Sequence, residues 1–199
     1  TVNRLLILFI FISGNQALAQ LPNQSNAIWD NTIYTLKDGM PVPQLTRIYR
    51  DVSGTIWGGG QGGLFRFDGY EFTSYTEGLN NTWIRSITGD SSGVIYAGTF
   101  GGLAMVRNNK VSVFQLVKDS IKQVDALLLL NEKDMLVSSK DEIWLVRMTG
   151  STWTARKITS LPRKRMTVYN FARDATGKIY VSTNGGVFVY QNDKLQLLD

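Results

Sequence analysis

The residues that first suggest chemistry in this chain are glycines. Gly58-Gly-Gly60-Gln-Gly-Gly63 satisfies the spacing G-x-G-x-x-G, which in a dinucleotide-binding turn lets the backbone approach a pyrophosphate held at a helix N-terminus. Here the next residues are Leu64-Phe-Arg-Phe67, the pattern of a strand, so the helix that would receive the phosphate does not follow, and the repeat described below explains every glycine of this run as hairpin chemistry. The sequence also has 0 histidines and 0 cysteines. That removes Ser-His-Asp and Cys-His nucleophilic catalysis, the usual zinc sites and the phospho-accepting histidine of a kinase core from this segment. Asp51, Asp90 and Asp174 are carboxylates at a repeated spacing, and each opens an Asp-x-x-Gly turn. A glycosidase needs two carboxylates facing each other across a cleft, and turn residues at one repeated position do not define such a pair. No cofactor, metal site or catalytic activity is expected of this segment.

The charge pattern narrows the partners. The formal net charge is +5, from 21 basic and 16 acidic residues, and the basic residues are dispersed apart from Arg163-Lys-Arg165. Nucleic-acid binding asks for a basic stripe on one face, interleaved with stacking aromatics. A three-residue run in a loop is a solvated surface, and direct nucleic-acid binding is not expected.

The elements that position these residues follow from a repeat. Asp51-Val-Ser-Gly-Thr-Ile-Trp57 returns as Asp90-Ser-Ser-Gly-Val-Ile-Tyr96 and as Asp174-Ala-Thr-Gly-Lys-Ile-Tyr180, each with a Gly-Gly pair downstream. Gly54 to Gly93 is 39 residues and Gly93 to Gly177 is 84, or two periods of 42. The gap predicts a further copy near residue 133, and Lys133-Asp-Met-Leu-Val-Ser-Ser-Lys-Asp-Glu-Ile-Trp-Leu-Val fills it without the glycines. A period of this size, built from short strands and tight turns, signals propeller blades. The fold class is therefore all-β: a β-propeller of four-stranded antiparallel blades, four of them present and forming an open half of a seven-bladed ring.

Each copy divides into four strands rich in Val, Ile, Tyr, Phe and Trp, bounded by turn residues. The first offers 45–50, 55–59, 63–67 and 71–75, and the second 83–88, 94–98, 102–106 and 111–115. The third offers 124–130, 135–138, 142–147 and 152–158, and the fourth 166–173, 178–182, 186–190 and 194–198. No sustained 3.6-residue apolar period is present, so no substantial helix is predicted. Asp-x-x-Gly suits a type I turn between first and second strands. The Gly-Gly pairs at 62–63, 101–102 and 185–186 are read as hairpin glycines supplying positive φ between second and third strands. Trp57, Tyr96 and Tyr180 share one position, with Leu136 in the degenerate copy, and are read as packing between blades. Thr32-Ile-Tyr-Thr-Leu36 looks like a further strand that closes the ring by joining its last blade.

The binding surface predicted by this architecture is the mouth of the ring. Loops between second and third strands put Gln61, Phe100, Lys140 and Asn184 on one rim, near the Asn80-Asn81-Thr-Trp83 and Arg163-Lys-Arg165 loops. Loops on a rigid scaffold are where binding residues concentrate. Aromatics beside Asn, Gln and Arg suit a sugar or another polar small molecule. The candidate ligand-binding residues are therefore Gln61, Phe100, Lys140, Asn184, Asn81, Trp83, Arg163 and Arg165.

The ends of the chain carry a different message. Arg4, the apolar run 5–12 and Ala17-Leu-Ala19 compose a secretory signal peptide over residues 1–19, with cleavage expected after Ala19. The run is shorter than the roughly 20 apolar residues that span a bilayer. The expected organisation is a leader over 1–19, an N-terminal segment with the ring-closing strand over 20–44, and blades one to four over 45–199. The cysteine-free composition suits a periplasmic protein held by its core. The absent initiator Met and the ending on Leu197-Leu198-Asp199 suggest part of something longer.

The copies resemble the two-component regulator propeller repeat, whose pattern runs roughly Asp-x-x-Gly-x-Ile-Trp-x-Gly-Thr-x-x-Gly-Leu-x-Arg-Phe-Asp-Gly. Asp51, Gly54, Ile56, Trp57, Gly63, Leu64, Arg66, Phe67, Asp68 and Gly69 match it, as do Asp38-Gly-Met-Pro41 upstream. Asp90, Gly93, Ile95, Gly98, Thr99, Gly102 and Leu103 match in the second copy. The likeness covers about residues 30–198 and is weak in the third copy, where Ser138-Ser-Lys-Asp replaces the glycines. The resemblance implies the first half of a periplasmic sensor of a membrane-bound histidine kinase or hybrid regulator, responding to an oligosaccharide or other polar ligand. It further implies downstream β-sandwich and signalling domains in the same chain, and a homodimer in the full-length form. It marks blade structure and not a binding site. The alternative is a free periplasmic propeller, either a polysaccharide-processing enzyme or an assembly scaffold. In propeller lyases histidines do the acid–base work, and this chain has none.

Overall fold

The computed structural model describes residues 32–114, 121–149 and 152–198, so the expected leader lies outside the described residues. Among the described residues sixteen strands are present, and the sixteen strands predicted for the four blades are found to within about two residues at each end. The first blade is β1 (Gln44–Arg50), β2 (Ile56–Gln61), β3 (Gly63–Phe67) and β4 (Phe72–Tyr75). The second is β5 (Ile84–Gly89), β6 (Ile95–Thr99), β7 (Gly102–Arg107) and β8 (Lys110–Val113). The third is β9 (Ala126–Leu129), β10 (Asp134–Ser139), β11 (Glu142–Thr149) and β12 (Thr152–Ser160). The fourth is β13 (Val168–Arg173), β14 (Ile179–Thr183), β15 (Gly186–Gln191) and β16 (Lys194–Leu197). Each blade is a separate four-stranded antiparallel sheet with its strands in sequence order. The innermost strands β1, β5, β9 and β13 neighbour one another in turn, which makes this a four-bladed β-propeller.

The Asp-x-x-Gly turns do more than reverse the chain. Gly54, Gly93 and Gly177 donate their N–H to the carbonyls of Asp51, Asp90 and Asp174, closing the turns. In each copy one carboxylate oxygen, Oδ1, accepts from the residue two positions on and from the residue four positions on: Ser53 and Thr55, Ser92 and Val94, Thr176 and Lys178. The other oxygen accepts from the aromatic six positions on. The donors are Trp57 Nε1 at 2.8 Å, Tyr96 Oη at 3.0 Å and Tyr180 Oη at 3.1 Å. Trp57 and Tyr96 thus pack between blades while their polar tips anchor the turns; Tyr180 anchors its turn but belongs to none of the buried clusters among the described residues. In the third copy Leu130 stands at the aspartate position and Leu136 at the aromatic one, so donor and acceptor were replaced together. Removing both partners of such a bond is far cheaper than orphaning one.

The glycines of β2 have a different cause from the one expected of hairpins. Gly58, Gly59 and Gly60 lie inside the strand without positive φ. A Cβ at Gly58 would enter the Phe65 ring, one at Gly59 would sit 2.7 Å from Ile84 Cγ2 of the next blade, and one at Gly60 would meet the Gln44 carbonyl. Close approach therefore selects all three. Of the later pairs only the second glycine, Gly102 or Gly186, has a positive φ. The first glycine of each supplies room instead, against Asn80 and Asn81 for Gly101 and against Met166 for Gly185.

Three apolar clusters hold the blades together. Trp57, Leu64, Tyr75, Ile84, Ile95, Ala97 and Val106 join the first to the second. Tyr96, Leu103, Val124, Leu127, Val137 and Trp153 are among those joining the second to the third, and Ala126, Leu136, Val168, Phe171 and Val181 among those joining the third to the fourth. Among the described residues no such cluster joins the fourth to the first. One link between them is the hydrogen bond from Arg47 Nη2 to the Tyr169 carbonyl, 2.9 Å. Leu45 stands where Ile84, Val124 and Val168 stand in the later blades; those three are 0% exposed and Leu45 is 44% exposed. The first blade therefore presents an open face at its inner strand.

Thr32–Leu36 forms no strand. Tyr34 instead lies against Phe67 and Phe72, with ring centroids 4.8 and 5.7 Å away. Leu36–Asp38 is a short 3-10 turn whose N-cap Thr35 and Asp38 form a reciprocal capping box.

Candidate functional site: the rim between the first and third blades

The rim is shaped by irregularities in the inner strands. Strands β1, β5 and β13 each slip register against their partners, skipping Thr46, Arg85 and Tyr169 respectively. A bulge re-aims the side chain at the extra residue. Thr46 turns its hydroxyl onto the Gly59 carbonyl or that of Ile84 across the blade boundary, while Arg85 turns toward the rim.

Around Arg85 the structure assembles a compact constellation. Trp83 and Phe100 pack with centroids 4.7 Å apart and planes at 52°, and Arg85 Cζ lies 5.1 Å from the Phe100 ring centroid. Arg85 Nη2 pairs with Asp125 Oδ1 at 3.2 Å, the two side chains being 27% and 0% exposed. Gln123 Nε2 donates to the same oxygen at 2.8 Å, and the Lys140 backbone N–H donates to Asp125 Oδ2 at 3.0 Å. The buried carboxylate is thereby satisfied on both oxygens, and it fixes the guanidinium over Phe100. Trp83 remains 38% exposed, so part of it is open to solvent. Gln61 reaches the group through a β-bridge to Trp83, and Asn81 Oδ1 accepts from the Trp83 N–H at 2.8 Å.

Arg47 lies on the neighbouring inner strand β1. Its Nη1 and Nη2 donate to the carbonyls of Thr46 and Tyr169. Burial, with the charge of Arg85 adding to it, holds its pKa below the ordinary arginine value.

Of the eight residues singled out on sequence, Gln61, Asn81, Trp83, Phe100 and Lys140 thus fall in one neighbourhood, Lys140 through its backbone. Asn184, in the β14–β15 turn, and Arg163 and Arg165, in the loop between β12 and β13, make no side-chain hydrogen bond or ion pair with it among the described residues. The Asn184 amide is occupied in accepting from Thr167 N–H and donating to the Arg165 carbonyl. Arg165 adopts a φ of 65° in that loop, and the Arg163 carbonyl accepts from Met166. Sequence reasoning missed Arg47, Arg85, Gln123 and Asp125. A signal was present: charged residues interrupt inner strands that are otherwise apolar, most visibly Asp125 between Val124 and Ala126. Among the described residues no group of three His, Cys, Asp or Glu side chains could hold a metal ion.

No family model matches the chain, and no curated protein does. Solved structures do match. The extracellular domain of BT4673 from B. thetaiotaomicron, described as a hybrid two component system, aligns over 79% of this chain and 22% of its own, at 23% identity and a TM-score of 0.63. Virginiamycin B lyase from Staphylococcus aureus aligns over 77% of this chain and 55% of its own, at 11% identity and 0.61. PorZ, a surface component of the type-IX secretion system of Porphyromonas gingivalis, aligns over 79% and 27%, at 17% identity and 0.58. This chain spans less than a quarter of the BT4673 domain. At these identities what the chain shares with a sensor domain, an enzyme and a secretion component is the β-propeller fold.

Proposed function

We propose that this chain is the N-terminal, ligand-sensing part of a periplasmic propeller belonging to a membrane-bound two-component sensor, a histidine kinase or hybrid regulator. The observation that carries the reading is the rim constellation: a partly exposed Trp83 beside an Arg85 paired with the buried Asp125. An aromatic platform with fixed polar groups is the usual make-up of a site for a polar small molecule. The fold likeness to the BT4673 extracellular domain and the repeat resemblance support the sensor context. On this reading further blades of the same chain cover the open face at Leu45. Residues 1–19 direct export, a sandwich and signalling module follow, and the full-length receptor is a homodimer. Ligand binding signals only if it favours one arrangement of the ring and the next domain over another.

The test is genetic. A strain lacking the gene loses transcriptional induction by one polysaccharide class, the full-length gene restores it, and a full-length Trp83→Ala version does not. Restoration by Trp83→Ala to the wild-type level would refute the rim as the sensing site. The second reading, a free propeller acting as an enzyme or scaffold, draws on the likenesses to the lyase and to PorZ. It expects no transcriptional phenotype but accumulation of an uncleaved substrate or loss of an assembled surface complex.

A further inference from the structure

Two arginines, Arg47 and Arg85, stand on the adjacent inner strands β1 and β5, and among the described residues one of them, Arg85, is paired with a carboxylate. Among the described residues Asp125 pairs with Arg85, and the remaining ion pairs, Arg147–Asp134, Arg156–Asp193 and Lys157–Glu142, lie elsewhere. Arg47 has two carbonyl acceptors and, among the described residues, no carboxylate. Arg85 uses Nη2 on Asp125, while its buried Nε has no hydrogen-bond partner. An unpaired buried donor on a charged group is costly to the fold, and like charges on adjacent strands repel each other. Among the described residues the two guanidinium groups thus have one carboxylate between them. Beside it, Trp83 and Phe100 stand at 52° and form a corner rather than a parallel slot. A corner suits the ridged C–H face of a pyranose better than a flat base, which needs an open, parallel face.

We propose that the rim site binds an acidic sugar, with Arg47 and Arg85 receiving its carboxylate and Trp83 stacking on its ring. The inference rests on the reading of the rim as the ligand site and adds the charge of the ligand. Arginine's fork matches a carboxylate with two parallel bonds, and the buried Asp125 keeps Arg85 from swinging away when no ligand is present.

The experiment uses the full-length protein and titration calorimetry with oligogalacturonate and hyaluronan oligomers, each against its methyl-esterified counterpart. Esterification removes the charge and leaves the ring. The expected result is binding of at least one acid series that weakens with salt and falls roughly ten- to a hundredfold on esterification, the range for a charge-assisted hydrogen bond. Arg47→Gln, which leaves the Arg85–Asp125 pair intact, lowers acid binding by a similar factor, and Trp83→Ala lowers acid and ester binding alike. Ester bound as tightly as acid with Trp83 required refutes the carboxylate role and leaves the rim reading standing. Acid binding untouched by Trp83→Ala and Arg47→Gln places the ligand elsewhere and overturns both. Failure of both acid series to bind a protein that retains its wild-type unfolding transition also overturns the proposal.

Discussion

Tyr96→Phe, taken with Asp90→Ala in a double-mutant cycle, isolates the bond that ties each turn to its blade. Tyr96 is 2% exposed and its hydroxyl donates to Asp90 Oδ2 at 3.0 Å. Deleting the hydroxyl keeps the ring packed against Phe114 and Trp153 and leaves one carboxylate oxygen without its protein donor. A hydrogen bond to a charged group contributes about 1.5–3 kcal/mol; Asp90 lies near the surface, where water replaces part of the loss, so about 1–2 kcal/mol is expected. At a urea m-value of about 2 kcal/mol/M, this lowers the midpoint by roughly half a molar to one molar. In the Asp90→Ala background the same substitution costs much less, because the acceptor has already gone. A coupling of about 1 kcal/mol results. The hydroxyl also predicts an alkaline effect. Burial, followed by the hydrogen bond and charge of Asp90, pushes the Tyr96 pKa up from 10.0 to about 12. A group whose folded pKa lies above its unfolded value contributes stability that is complete below the unfolded value and lost as pH rises through the folded one. The wild type therefore loses this contribution between about pH 10 and 12, and Tyr96→Phe lacks it throughout. Equal costs of Tyr96→Phe with and without Asp90, or identical alkaline profiles, would refute the argument.

The remaining predictions concern the strand glycines and the open face. Gly58→Ala drives a Cβ into the Phe65 ring and should cost about 1–3 kcal/mol, the usual range for overpacking. Phe65→Leu in the same chain should recover part of it, as read by thermal unfolding. Gly60→Ala meets backbone at Gln44 and should not be recoverable by any side-chain replacement. Ile84→Ala, at a fully buried position, should cost about 2–5 kcal/mol. Leu45→Ser at the equivalent, half-exposed position should change stability by less than about 0.5 kcal/mol in urea unfolding of the 199-residue chain. A large cost at Leu45 would mean that its face is already packed.

The sequence by itself determined the fold. The recurrence of Asp-x-x-Gly, an aromatic and a Gly-Gly pair at a period near 40 located all four blades and sixteen strands, because each blade repeats the same local problem of turn, strand and hairpin. Even the degenerate third copy was legible from its apolar pattern. The sequence could not show that Leu130 and Leu136 form a matched replacement for Asp and aromatic, since that coupling exists only once the turn folds back onto the strand. It misassigned Gly58, Gly59 and Gly60 to hairpin chemistry, because what excludes a Cβ there is Phe65 across the sheet, Ile84 on the next blade and Gln44 on the neighbouring strand. It likewise made a strand of Thr32–Leu36, where Tyr34 instead packs against Phe67 and Phe72 and the chain turns into the 3-10 segment at Leu36. Half of the rim site was visible as loop residues, Trp83 and Phe100 among them. Arg85 and Asp125, 40 positions apart, became a pair only through the bulge in β5 and the packing of the third blade against the second. Local patterns are written along the chain; the meeting of residues from different blades is decided by the angle at which the blades pack.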